Sequence, residues 1–233
     1  MNKLAFFTLF LPIAAASQTR NECWLKMMVT HPLNEHWSLG AELQHRRQAN
    51  FQVQDKNIFH YPLANYVRAW ITYKLPHNWT LVLSPVGYFD NEDIVSSDGE
   101  LKQTNELRVS PGVIRAFEMG RIRNKNRLLY DARLADFNKS YHFFQSRFRM
   151  QNSFSFPVFW VKKENKISYQ LSNEILIKKE KTSVGFDQNR LYNAIQWENH
   201  GLNIDIGYQW IVQKNGASTF RRNQLFIALN III

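Results

Sequence analysis

Thirteen charged residues recur on one face of successive extended segments: Glu42, Arg46, Arg68, Glu106, Arg108, Arg127, Asp131, Arg133, Arg147, Arg149, Glu174, Arg190 and Asp205. Glutamines 44, 145, 151, 170, 188 and 209 lie between them. The chemistry open to such a set is ion pairing and anion attraction. A guanidinium is planar, always charged, and binds carboxylates with two parallel hydrogen bonds. Glu106 and Arg108, like Asp131 and Arg133, stand two residues apart, which puts each pair on one face of a strand and in reach of the adjacent strands. Glu174 and Arg190 fall on neighbouring segments and are expected to pair, directly or through a third charge. The arginines outnumber the carboxylates, so a lumen lined by them would favour anions.

Catalytic patterns are weaker. His142 and Ser146 share one parity of one segment, but four residues along a strand is too far for a hydrogen bond. His45, His60 and His200 have no partner assignable from the sequence, and no histidine–carboxylate spacing resembles a metal site. The sequence therefore assigns no catalytic, cofactor-binding or metal-binding residue, and enzyme activity is not expected.

The segments that carry these charges alternate with a period of two. In the run 36–46, Trp37, Leu39, Ala41 and Leu43 take one face, while Ser38, Glu42, Gln44 and Arg46 take the other. That period marks a strand between two unlike environments. Strands of soluble proteins average about 5–6 residues; these run to roughly 10–12, the span a tilted strand needs to cross a bilayer. The apolar face outside and the charged face inside point to a membrane β-barrel. A lipocalin-like carrier would have the reverse polarity.

Composition agrees. Met1-Asn2-Lys3, an apolar stretch from Leu4 to Ile13, and Ala14-Ala15-Ala16 read as a secretory signal peptide, with residues 1–16 removed and 17–233 forming the barrel. The mean hydropathy of −0.39 suits a barrel, half of whose strand residues face polar surroundings. A net charge of +10 raises nucleic-acid binding, but no helix carries a basic stripe and no recognition motif is present, so no nucleic-acid partner is expected. One cysteine, Cys23, rules out an intramolecular disulfide, and Arg20-Asn21-Glu22 before it is unlike a lipidation signal.

Eleven candidate strands follow from alternation bounded by turn residues, near 22–30, 36–46, 64–74, 79–89, 104–116, 121–135, 141–156, 166–177, 187–197, 202–213 and 222–233. Connections alternate short and long, the long ones at 47–63, 90–103, 136–140, 178–186 and 214–221. An even count is the rule for single-chain bacterial barrels. The expectation is therefore a single all-β, antiparallel transmembrane barrel of ten or twelve strands, with any missed strand near 154–161. Trp37, Tyr73, Trp79, Phe117, Trp160 and Trp197 are assigned outward beside short connections. Phe89, Phe144, Tyr208 and Trp210 are assigned outward near long ones, which makes two interfacial girdles. Lys178, Lys179, Lys181, Arg221 and Arg222, with Arg46 and Arg47, are assigned to the long loops, facing lipopolysaccharide phosphates.

Phe186-Asp187-Gln188-Asn189-Arg190-Leu191-Tyr192, preceded by Ser172-Asn173-Glu174-Ile175, resembles the most characteristic stretch of a bacterial family catalogued as domain of unknown function 2490 (DUF2490). Glu42 and Arg46, Glu106-Leu107-Arg108 and Arg147-Phe148-Arg149 also fit its pattern. The resemblance implies a signal-peptide-bearing outer-membrane barrel, frequent among Bacteroidota, and no activity. The end, Asn230-Ile231-Ile232-Ile233, departs from the terminal aromatic of many outer-membrane barrels. The functional expectation is a structural or gated barrel whose lumen is filled by arginine and carboxylate. The alternatives are a narrow anion-preferring pore and a barrel enzyme acting on lipid. The expected partner is outer-membrane lipid, including lipopolysaccharide, and no cofactor is expected.

Overall fold

Alternating sequences of this kind leave every backbone N–H and C=O unpaired unless each strand finds two neighbours, and a closed sheet is the arrangement that provides them all. The computed structural model describes residues 19–137, 140–162, 165–180, 183–215 and 218–233. The signal-peptide assignment, Lys181 and the Phe144 side chain lie outside the described residues. Eleven strands form one closed barrel. They are β1 (Thr19–Pro32), β2 (Trp37–Gln48), β3 (Tyr61–Leu75), β4 (Trp79–Ile94), β5 (Leu101–Met119), β6 (Ile122–Phe137), β7 (Ser140–Lys162), β8 (Asn165–Glu180), β9 (Ser183–Asn199), β10 (Leu202–Asn215) and β11 (Ser218–Ile232). A short 3-10 turn, Phe51–Val53, interrupts the connection after β2.

The expectation of ten or twelve antiparallel strands is corrected. Consecutive strands pair antiparallel, but β1 and β11 point the same way and close the barrel in parallel, from Thr19 opposite Arg221 to Thr30 opposite Ile232. An odd number of up-and-down strands permits no other closure. The segment around 154–161 holds no extra strand, because β7 runs through it for 23 residues, with register irregularities at Pro157–Phe159 and Trp160–Lys162. Most of the expected long connections are also strand. The hairpins β6–β7, β8–β9 and β10–β11 carry their pairing as far as Phe137 with Ser140, Glu180 with Ser183 and Asn215 with Ser218, and residues 49–60 and 95–100 remain as the extended loops.

Tight connections form where the backbone can turn left-handed. His77 and Asn78, between β3 and β4, have φ of 59° and 62°, and His200 and Gly201, between β9 and β10, have 41° and 82°. Two adjacent positive φ values define the hairpin turn whose twist matches that of the strands.

Outward positions are apolar along the barrel, among them Leu39, Leu43, Val67, Leu81, Leu128, Phe148, Met150, Ile195 and Ile206, all exposed. Parity is not preserved everywhere. Pro85 lacks the N–H a ladder needs, and the register slips between Ser84 and Gly87 on both sides of β4. Beyond this bulge the faces exchange. Val86 and Tyr88 point out, while Phe89, assigned outward from the sequence, is buried in the lumen against Tyr66.

Candidate functional site in the barrel lumen

Every inward-assigned charge lies on the lumen side of its strand, and all but the fully buried Asp131 line one internal cavity of about 1210 Å³. Neighbouring strands are sheared, so charges meet by barrel geometry more than by sequence spacing. Three groups result.

The first centres on Glu174. Its Oε1 accepts from Arg149 (3.1 and 2.8 Å) and Arg127 (3.1 Å), and its Oε2 from Arg190 (3.3 Å). The expected Glu174–Arg190 pair is therefore one arm of a three-arginine cluster, formed where the two residues stand opposite each other in the β8–β9 ladder. Asp131 is bonded not to Arg133 but to Ser110 Oγ (2.6 Å), with Arg149 at 3.6 Å. Ser110 in turn accepts from Arg68 at 2.8 Å, and the Arg68 guanidinium lies over the Trp70 ring at 4.3 Å. Glu42 receives the Trp70 indole N–H (2.9 Å) and the Gln44 amide, with Lys26 at 3.9 Å. Glu42 also lies within electrostatic reach of Arg127 and Arg149 across the lumen.

The second group is built on Glu106, which holds Arg108 from its own strand and Arg133 from β6, the latter bidentately at 2.5 and 2.7 Å. Arg133 also donates to Gln145. Arg147 meets Asp187 at 2.7 Å. The third group lies on the closing seam. Arg222 of β11 binds Glu22 of β1 at 2.6 and 2.8 Å, and Gln224 adds a bond to the same carboxylate at 2.7 Å. Arg46 sits between aromatic rings, 3.7 Å from the Trp24 centroid and 4.5 Å from that of Tyr66. Asp205 is inward but accepts from Gln196 (2.7 Å) instead of an arginine.

Glu22, Lys26, Asp187 and Arg222 belong to this lattice and were missing from the sequence assignment. Arg222, assigned to a loop facing lipopolysaccharide, is a lumen residue, as is Arg46. The parity of Arg222 with Gln224 was the signal, masked by its exposed neighbour Arg221. Trp24 and Trp70 were missed because aromatics were read as outward. Two histidines left without partners have them: His45 Nδ1 lies 2.7 Å from Asn65 Oδ1, and His60 Nδ1 lies 2.8 Å from Asp55.

The girdle residues Trp37, Trp79, Trp160 and Trp210 are exposed on the barrel surface, with Tyr73, Phe117, Trp197 and Tyr208 half-buried. Trp37 packs on Tyr73 (4.6 Å between centroids) and Tyr208 on Trp210 (4.7 Å). Trp79 lies under Arg115 at 5.1 Å, and Trp197 donates to Asn165 at 2.8 Å.

The stretch that distinguishes the sequence folds into this lattice: Asn173 donates to Asn189 (2.6 Å), Gln188 accepts from Arg190 (2.6 and 2.8 Å), and Asp187 engages Arg147. Residues 21–224 match the family described as "Protein of unknown function (DUF2490)". The chain belongs to that family. A search of curated proteins finds no match. Among solved structures, the DUF2490 barrel is similar to the beta domain of the Bordetella autotransporter Brka, with a TM-score of 0.51 and 14% identity over 80% of this chain and 79% of that one. It is also similar to LpxR from Salmonella typhimurium, with a TM-score of 0.48 and 6% identity over 83% of each chain. At such identities the first likeness speaks for the fold alone, and the second carries no argument. The DUF2490 barrel is thus of outer-membrane type, and its distinctive residues serve the interior lattice.

Proposed function

We propose that this protein is a non-enzymatic outer-membrane barrel whose lumen is a narrow, anion-preferring passage, held closed at rest by its arginine–carboxylate lattice. The observation that carries this reading is the charge of the cavity wall: eleven arginines and two lysines against six carboxylates. A filled interior is the simpler reading, but a cavity of about 1210 Å³ is ample for water and ions. The groups reaching across it, with Glu42 facing Arg127 and Arg149, are the natural gate. Apolar outward strands and paired exposed aromatics support residence in a lipid bilayer.

Planar-bilayer recording of the refolded protein across a salt gradient tests the proposal. A reversal potential favouring anions is expected, with rare openings. A cation-selective potential, or no current from Glu174→Gln as well as from the parent protein, would show that the lumen does not conduct as proposed.

A second contact is supported at the loop end of the barrel. Lys179, Lys214 and Arg221 are exposed there, and clustered cations suit the phosphates of lipopolysaccharide. Charge reversal at Lys214 and Arg221 is expected to reduce lipopolysaccharide co-purification, and unchanged co-purification refutes the contact.

A further inference from the structure

Within the lumen, a second set of guanidinium groups outnumbers the carboxylates it meets and shares Arg190 with the Glu174 cluster. Arg46 of β2 is within electrostatic reach of Arg108 on β5, Arg190 on β9 and Arg222 on β11, and of the carboxylate Glu22 on β1, which Arg222 already binds. Arg147 of β7 is within reach of Arg108, Arg133 and Arg190. All six side chains line the cavity, from strands spaced around its wall. Arg108, Arg133 and Arg147 stand on the adjacent strands β5, β6 and β7, one wall of the lumen. The opposite wall supplies Arg46, Arg190 and Arg222 and completes a ring.

The carboxylates bound to this ring are Glu22, on Arg222, Glu106, shared by Arg108 and Arg133, and Asp187, on Arg147, with Asp131 near Arg108 and Asp93 near Arg222 at longer range. Glu174 reaches Arg190 but is also claimed by Arg127 and Arg149. Arg46 has no carboxylate in ion-pair contact among the described residues. Its one side-chain hydrogen bond runs to Gln44 at 3.1 Å, and its Nε, though buried, has no hydrogen-bond partner. Stacking between Trp24 and Tyr66 holds the plane of that fork in place. A buried charge with unfilled donors is costly unless something completes it.

We propose that the ring is a binding site for a multivalent phosphate-type oxyanion. A single chloride satisfies neither the surplus charge nor the several forks converging from different strands. A phosphoryl group offers several acceptor oxygens at the spacing guanidinium forks accept bidentately, together with more than one negative charge. The closed wall separates the ring from lipid, so the ligand is a soluble phosphate compound arriving through the lumen. This deepens the reading of the lumen as an anion passage and rests on it.

Inorganic pyrophosphate serves as the probe. Its binding to the full detergent-folded barrel is measured by calorimetry and by the melting midpoint, with sodium chloride at matched ionic strength as reference. Saturable binding and a raised midpoint with pyrophosphate alone are expected. Arg46→Lys keeps the charge, removes the fork and spares the fold. It is expected to weaken binding about tenfold or more, since one charge-assisted hydrogen bond is worth that much. Lys74→Gln, exposed at the opposite end of the barrel, is expected to leave binding unchanged. Altered migration of unheated samples in gels checks that each variant has folded. Pyrophosphate binding without current in bilayers keeps the site and removes the passage. Anion-selective current with no saturable pyrophosphate effect overturns the site, and so does binding indifferent to Arg46→Lys.

Discussion

At the scale of the residue, the arithmetic of Glu174 decides what a substitution does. One carboxylate there is shared by Arg127, Arg149 and Arg190. Replacing Arg190 with Ala leaves Glu174 two guanidiniums and relieves the repulsion between Arg190 and Arg149. Replacing Glu174 with Gln leaves three cations facing one another with only the more distant Asp131 and Glu42 to offset them. Removing one partner of a buried pair costs about 3–5 kcal/mol, and about 0–1 kcal/mol where the charge remains solvated. Glu174→Gln is therefore expected near the upper figure and Arg190→Ala well below it. Thermal or urea unfolding of the refolded protein measures both. Equal losses would mean that each arginine acts alone, and no loss from either would mean that water, not protein, compensates these charges.

At the scale of the element, the strands owe their regularity to alternation and their exceptions to backbone chemistry. Pro85 forces the bulge that turns Phe89 inward, where it lies under Arg108 at 3.7 Å. A second constraint is the close approach of β10 to β9 at Gly207. A Cβ there would lie 2.2 Å from the carbonyl oxygen of Asn193 and 2.5 Å from the Cβ of Ala194. Both are on a paired strand that cannot retreat without breaking its ladder. Gly207→Val is expected to destabilise the barrel by about 1–3 kcal/mol or more, the usual cost of overpacking. Its unfolding midpoint in urea reads this out, and a value equal to the parent would show that β9 and β10 are not packed so closely. The alternation and Pro85 were both legible in the sequence. The inversion that Pro85 causes was not, because a bulge is defined by the partner strands.

At the scale of the whole molecule, the closing seam is the feature most open to direct test. The one cysteine, Cys23 on β1, is free, buried and directly opposite Leu225 on β11. Parallel partners point to the same side of the sheet, at a separation a disulfide can bridge. Leu225→Cys is expected to oxidise to an intramolecular disulfide that holds the seam shut. Phe226→Cys, facing the other way, is not expected to do so. A free thiol titre unchanged after oxidation of Leu225→Cys would rule out this register and with it the parallel closure.

What the amino-acid sequence determined by itself was every property set within a strand. The period of two, the charged inward face, the apolar outward face and the places of the eleven strands all follow from which side of a pleat each side chain takes. The Glu174–Arg190 contact was legible too, because those residues sit in consecutive strands. Only the tertiary structure decided the odd strand number, the parallel seam, the inward turn of Phe89 and the company kept by each charge. Arg222 meeting Glu22 joins residues at opposite ends of the chain, and Arg127 meeting Glu174 skips the strand between them. The physical reason is that closure and shear are properties of the whole sheet: they set which inward side chains share a level of the lumen, and no local pattern encodes that.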